Sequence, residues 1–279
     1  MKLSKQQIES YRENGYLLLT DVFDEDEVSR MTEEMRKVIK EDCPRRILEK
    51  NGHVRSFFAP DHTNDLFRRI VRLDRLVNPS SQLIGSEVYI HQTKLNTKHA
   101  LVGDWWEWHQ DYTFWKLDDG MPAPEVLTAM IFLNDVNEFN GPMLLIPGSH
   151  KDGVIDAEEN EGLPDENDKW FKDYQSSTSY MSALTSELKY TLKQHTIARW
   201  VEKRGIYPAK GPAGSVLFFD GNVFHASSNN LSPWDRHSFL VTYNSIKNTL
   251  PEMENPRPPF LANRIFTPLE PLPDTILQA

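Results

Sequence analysis

The hydrophobic pattern of this chain changes period near residue 86. Before that point apolar side chains recur three and four apart, so that Val28, Met31, Met35, Val38 and Ile39 would share one face of a helix. Ser4 with Gln7 and Asp24 with Glu27 have the spacing of capping boxes that open two helices, and Asn14-Gly15 reads as a stop signal between them. Tyr16 to Leu19 predicts a short strand, and Leu66 to Leu76 a further helix with its arginines toward solvent. From Val88 onward the apolar runs are short and separated by turn residues: Val88–Leu95, Trp105–Tyr112, Leu127–Leu133, Met143–Ile146, Ser215–Phe219 and Phe239–Tyr243. Asn140-Gly141 and Asp220-Gly221 read as hairpin-type turns. Many short strands with flanking helices predict a mainly β fold with a double-stranded β-helix core, a cupin-like jelly roll.

Nothing in the chain separates independent domains. A single domain over 1–279 is expected, with an N-terminal helical flank at 1–80 and jelly-roll core at 86–150 and 211–250. Between them, residues 151–210 form a polar insertion that reads as a candidate active-site lid or a solvated excursion. Basic residues number 31 and acidic residues 41, a net charge of −10, which argues against a nucleic-acid binder that relies on phosphate contacts. The single cysteine, Cys43, excludes an intrachain disulfide and any cysteine-rich metal site. No apolar run approaches the roughly 20 residues that span a bilayer. A cytoplasmic protein without membrane partners is the expectation.

The chemistry concentrates around Trp108-His109-Gln110-Asp111-Tyr112. On a regular strand alternate side chains share a face, so His109 and Asp111 would point together at one ion. His225, after a strong strand and the Asp220-Gly221 turn, is the candidate third ligand. Two histidines and a carboxylate on one face of a metal leave the other face open, the arrangement of non-haem Fe(II) oxygenases. Arg236, eleven residues later at the start of the next apolar run, would return by a hairpin to offer a two-pronged cation to a carboxylate. A lone His-x-Asp, His or Arg is commonly structural; the ordered set of four is the informative signal. Two rivals stand beside it: a zinc hydrolase using the same ligands to activate water, which leaves Arg236 unexplained, and a catalytically silent β-barrel binding protein, which would have lost one of the four.

Several longer blocks resemble the phytanoyl-CoA dioxygenase family, and within it the ectoine hydroxylase branch. They are Trp108 to Trp115 with Asp119-Gly120-Met121-Pro122, Asn140-Gly141-Pro142-Met143 running into Ile146-Pro147-Gly148-Ser149-His150, and Gly214-Ser215-Val216 with Phe218-Phe219-Asp220, followed by His225, Ser232-Pro233, Arg236 and Tyr243-Asn244. The resemblance implies Fe(II) held by His109, Asp111 and His225, with 2-oxoglutarate and O2 as co-substrates. It implies that Arg236 pairs with the far carboxylate of 2-oxoglutarate, and that Asn96, Thr128 and Ser227 help to hold it. Gln92, Trp115 and Phe219 match positions that line the branch's substrate pocket.

This sequence also departs from the branch. Gln110 stands where serine is usual, Leu240 where an aromatic wall is expected, and the 151–210 insertion is longer. The expected substrate is therefore another compact zwitterion, a free amino acid or an amino-acid-derived natural product. The expected reaction is hydroxylation of a C–H bond with release of succinate and CO2; desaturation, cyclisation and demethylation are the alternative outcomes. Related halogenases replace the carboxylate ligand with a small residue, so Asp111 favours hydroxylation. The sequence leaves monomer and homodimer both open.

Overall fold

The structure, a computed structural model, describes residues 1–156 and 188–277. Most of the 151–210 insertion, with its candidate lid, lies outside the described residues. Helix α1 (Lys5–Asn14) opens on a reciprocal capping box between Ser4 and Gln7 and closes on Gly15, whose φ of 80° is the left-handed conformation expected of a helix stop. After strand β1 (Tyr16–Leu19), helix α2 (Glu25–Val38) opens on the Asp24–Glu27 box and buries Val28, Met31, Met35 and Val38. These starts appear where expected because both capping bonds are local.

Two short strands follow, β2 (Arg46–Leu48) and β3 (Val54–Phe58), so the flank is less helical than its pattern indicates. The expected single helix over Leu66–Leu76 is two, α3 (Asp65–Ile70) and α4 (Asp74–Ile84). Its arginines also divide. Arg68 and Arg69 are exposed, whereas Arg75 is buried, pairs with Glu27 and sits 4.2 Å over the Phe23 ring. No helix among the described residues is long and apolar enough to cross a membrane.

The remaining strands are β4 (Val88–Lys98), β5 (Trp106–His109), β6 (Val126–Phe132), β7 (Met143–Leu145), β8 (Tyr207–Ala209), β9 (Val216–Asp220), β10 (His225–Ser227) and β11 (Arg236–Ser245). They form a seven-stranded sheet, β1-β9-β6-β11-β4-β3-β2, and a four-stranded sheet, β5-β10-β7-β8. Period-2 alternation divides the long sheet's side chains. Leu127, Ala129 and Ile131 of β6 join Met31, Met35, Leu76 and Val77 in the core under the helices. Met130 and Phe132 turn inward with Leu217, Phe219 and Leu240 toward Leu145 and Ala209. The mainly β, jelly-roll expectation therefore holds.

Two local expectations change. The run Trp105–Tyr112 is not one strand: β5 ends at His109, Gln110 caps a helix, and Asp111 is the first residue of α5 (Asp111–Asp119). The β-prone Tyr-Thr-Phe-Trp sequence winds helically because its rings pack into different surroundings. Tyr112 and Trp115 join Met121, Val126 and Leu250, while Phe114 joins Leu188 and Tyr190. The Asn140-Gly141 and Asp220-Gly221 turns, and the segment from His225 to Arg236, are not hairpins between paired strands either. Each connects a strand of one sheet to a strand of the other. Turn chemistry dictates the reversal but not the sheet that receives the chain.

Asp220 ends β9, where its backbone N–H donates to Gly15 O and its carboxylate accepts from the Asn222 N–H. Burial pushes its carboxyl up to about 7 against the opposing effect of that N–H. An unfolded aspartate ionises near about 4, so its folded-state contribution is whole below that value and lost as pH rises toward 7. Asp220→Asn keeps an acceptor for Asn222 and is expected to flatten this fall in stability. Urea midpoints at pH 4.5 and pH 8 measure it; a variant with the parent's pH slope sinks the assignment.

Candidate metal centre and co-substrate cavity

His109 and His225 are cross-strand partners on β5 and β10 of the smaller sheet, and their ring centroids lie 4.1 Å apart. Asp111 reaches the same point from the start of α5. Its Oδ1 is 3.5 Å from His109 Nε2 and 3.8 Å from His225 Nε2. The three side chains place one ligand atom each within 4.8 Å of one another. Convergence is as expected, but it arises from a strand-to-helix junction and not from strand alternation.

The remaining ring nitrogens are tied to main chain: His109 Nδ1 lies 2.6 Å from Glu107 O and His225 Nδ1 lies 3.0 Å from Val223 O. Such bonds hold Nδ1 protonated and aim the Nε2 lone pairs at the common point. Burial, then the neighbouring His109, pushes His225 down to about 4, which keeps its imidazole neutral at pH 7. For Asp111, burial raises the pKa, but His225, Lys94 and His109 together outweigh it and hold the carboxyl below the usual range. Two imidazoles and a carboxylate fit a divalent iron ion with open positions.

Gln110, between His109 and Asp111, serves as a tie. Its amide donates to Gly153 O and Asn222 O and accepts from the Ile155 N–H, joining three segments around the junction. Glu107 contributes its main-chain carbonyl to His109, while its carboxylate accepts from the Leu188 N–H.

A cavity of about 70 Å³, or about 790 Å³ with the open space at its mouth included, extends from the triad across the barrel. Arg236 lies in its wall, 4% exposed. Its Nε and Nη2 both donate to Gly141 O, at 3.0 and 2.6 Å, whereas Nη1 has no hydrogen bond among the described residues. Burial, then Arg55, lowers Arg236 to about 10, so it stays charged at neutral pH. Gly141 must be glycine here: its φ is 76°, and a Cβ would stand 2.6 Å from both Lys98 Cδ and Ser228 O.

The other expected contacts divide. Gln92, Asn96, Trp115, Phe219 and Ser227 all line the cavity. Gln92 is held by Leu261 O, and Asn96 accepts from Ser56 Oγ. Trp115 lines it from α5 and not from a continued strand. Thr128 is off that wall; its hydroxyl is 2.9 Å from that of Thr242.

Sequence reasoning missed Lys98 and Lys94. Lys98 Nζ donates to Ser227 Oγ at 2.9 Å, and its backbone pairs with Arg236 across β4 and β11. Lys94 lines the cavity. Both share strand parity with Gln92 and Asn96, the signal that would have found them.

Known proteins resemble this chain in sequence and in fold. The sequence model of the phytanoyl-CoA dioxygenase family (PhyH) matches residues 11–238. An ectoine dioxygenase of Bordetella bronchiseptica is 34% identical over 97% of this chain and 86% of its own length. An L-proline trans-4-hydroxylase of Streptomyces griseoviridis is 33% identical over 94% of this chain and 93% of its own. Among solved structures, EctD from S. alaskensis with 2-oxoglutarate and 5-hydroxyectoine superposes with a TM-score of 0.79. It has 27% identity and covers 97% of this chain and 88% of that one. With this match across most of its length, the chain belongs to the phytanoyl-CoA dioxygenase family.

Proposed function

We propose that this protein is an iron- and 2-oxoglutarate-dependent oxygenase that hydroxylates a small zwitterionic amino acid or a close derivative. His109, Asp111 and His225 would hold the iron. When bound, iron with 2-oxoglutarate supplies the activation of O2 that oxidises a C–H bond and yields succinate and CO2. Arg236 takes the far carboxylate of 2-oxoglutarate through its remaining guanidinium edge, and Lys98 orients the Ser227 hydroxyl beside it. The names of the relatives, ectoine dioxygenase and L-proline trans-4-hydroxylase, support a compact amino-acid-like substrate.

The observation that carries the zwitterion reading is the charge left inside the cavity. Arg257 lines it too, but Asp119 binds its guanidinium through two hydrogen bonds. Lys94 has no salt bridge among the described residues and lies close enough to lower the pKa of Asp111. Its ammonium is available to a substrate carboxylate, and Trp106, Phe114 and Leu188 provide an apolar wall that excludes water.

Succinate release should be screened over ectoine, L-proline and other compact zwitterions, each beside its carboxamide. Carboxylates are expected to stimulate turnover and carboxamides to fail. Lys94→Met should raise KM for the carboxylate substrate by about 10-fold or more, the loss of one charge-assisted bond. Equal turnover of carboxylate and carboxamide would sink the zwitterion assignment.

A further inference from the structure

A second cluster of metal-ligating side chains lies on the other face of the long sheet. Asp235 and His237 flank Arg236 at the start of β11, and His99 follows Lys98 at the end of β4. Arg236 pairs with Lys98 across these strands, and His237 with Thr97. Alternation sends Arg236 inward, so Asp235 and His237 turn outward together. The parity argument that fails for His109 and Asp111 succeeds here.

The ligand atoms of His99, Asp235 and His237 lie within 4.8 Å of one another. Asp235 Oδ2 is 3.3 Å from His237 Nε2, and Oδ1 is 3.9 Å from His99 Nδ1. In the iron-type triad one oxygen, Asp111 Oδ1, lies 3.5 and 3.8 Å from the two imidazoles, whereas here each imidazole approaches a different oxygen of Asp235. Ligands on a tetrahedral zinc with bonds of 2.0–2.1 Å stand about 3.3 Å apart, so Asp235 Oδ2 and His237 Nε2 already have that spacing and His99 would close on them.

The carboxylate is already oriented, because Oδ1 accepts from the Ala100 N–H at 2.9 Å. Its side chain is 44% exposed, which gives an ion access from solvent. The His99 ring lies 4.9 Å from that of His53 and 5.3 Å from that of His237. Burial, then His237, lowers the pKa of His99, with Asp235 opposing. A neutral imidazole is the form that binds a metal.

We propose that His99, Asp235 and His237 form a second metal site, for a borderline divalent ion such as Zn(II), on the outer face of β4 and β11. Two imidazoles and one carboxylate suit zinc, with water or the nearby His53 completing the shell. An ion there would clamp the strand ends that carry Arg236, in the cavity wall, and Lys98, which bonds the wall residue Ser227. The competing arrangement is a His237–Asp235 ion pair without a metal.

Zinc counting by equilibrium dialysis tests this without any activity readout. An Asp111→Ala/His225→Ala variant, checked as folded by circular dichroism, is expected to keep about one equivalent of zinc. Adding His99→Ala and Asp235→Asn should remove it; the asparagine retains an oxygen for the Ala100 N–H. The otherwise unmodified protein should bind one more equivalent than its His99→Ala/Asp235→Asn variant, which covers a triad variant that does not fold. Equal zinc content in that second comparison, or no loss on removing the second set from a folded triad variant, would overturn the site. Because neither comparison involves turnover, failure here is distinguishable from failure of the oxygenase reading.

Discussion

Asp111→Ala is expected to lower substrate-dependent succinate release by more than about 100-fold, since loss of mere outer partners of metal ligands already costs 10–100-fold. Asp111 is the only carboxylate of the iron-type triad and sits within 3.8 Å of both imidazole Nε2 atoms. Its removal would leave two histidines and no carboxylate to hold a divalent ion. The variant should fold, because the side chain makes no hydrogen bond outside the triad among the described residues and α5 keeps its packing through Tyr112, Phe114 and Trp115. Dialysis against Fe(II) under anaerobic conditions, with thermal melting as the fold control, measures both quantities. Full turnover in the variant would refute the ligand assignment.

Arg236→Ala should act on the co-substrate and not on iron. Breaking one partner of a buried charge pair costs about 2–5 kcal/mol, which is roughly 30- to several-thousand-fold in the affinity for 2-oxoglutarate. Arg236→Lys should recover only part of it, because an ammonium cannot bond Gly141 O and a carboxylate with one planar fork. The visible charge-transfer band of the anaerobic Fe(II)–2-oxoglutarate complex reports the affinity directly. Arg236 also anchors Gly141 O through two bonds, so a general loosening is the alternative to separate. Loosening would weaken iron and 2-oxoglutarate alike; the co-substrate role predicts unchanged iron affinity and a rise confined to 2-oxoglutarate. A variant with unchanged 2-oxoglutarate affinity would remove Arg236 from the site.

Much of this arrangement was legible in the amino-acid sequence. The capping boxes at Ser4–Gln7 and Asp24–Glu27 and the stop at Gly15 depend on groups three or four residues apart, and they appear as read. Donor chemistry was equally local: histidines, a carboxylate and an arginine in a characteristic order identified the candidate site and its class of ion. On β4 the period of two sets Gln92, Lys94 and Asn96 on the cavity side, so the local pattern that goes with Gln92 and Asn96 also carried Lys94.

Long-range pairing decided the rest. Whether Asp111 continued a strand or began a helix depended on where Tyr112, Phe114 and Trp115 found their packing partners, among residues up to about 150 positions away. Turn residues specified reversals at Asn140-Gly141 and Asp220-Gly221, but only the assembled sheets determined that these corners pass from one sheet to the other. Sequence by itself thus determined which groups were available and which short segments were helical or extended. The tertiary structure alone brought His225 opposite His109, Lys98 opposite Arg236 and Asp235 beside His99, because those pairings rest on backbone hydrogen bonds and packing between segments distant along the chain.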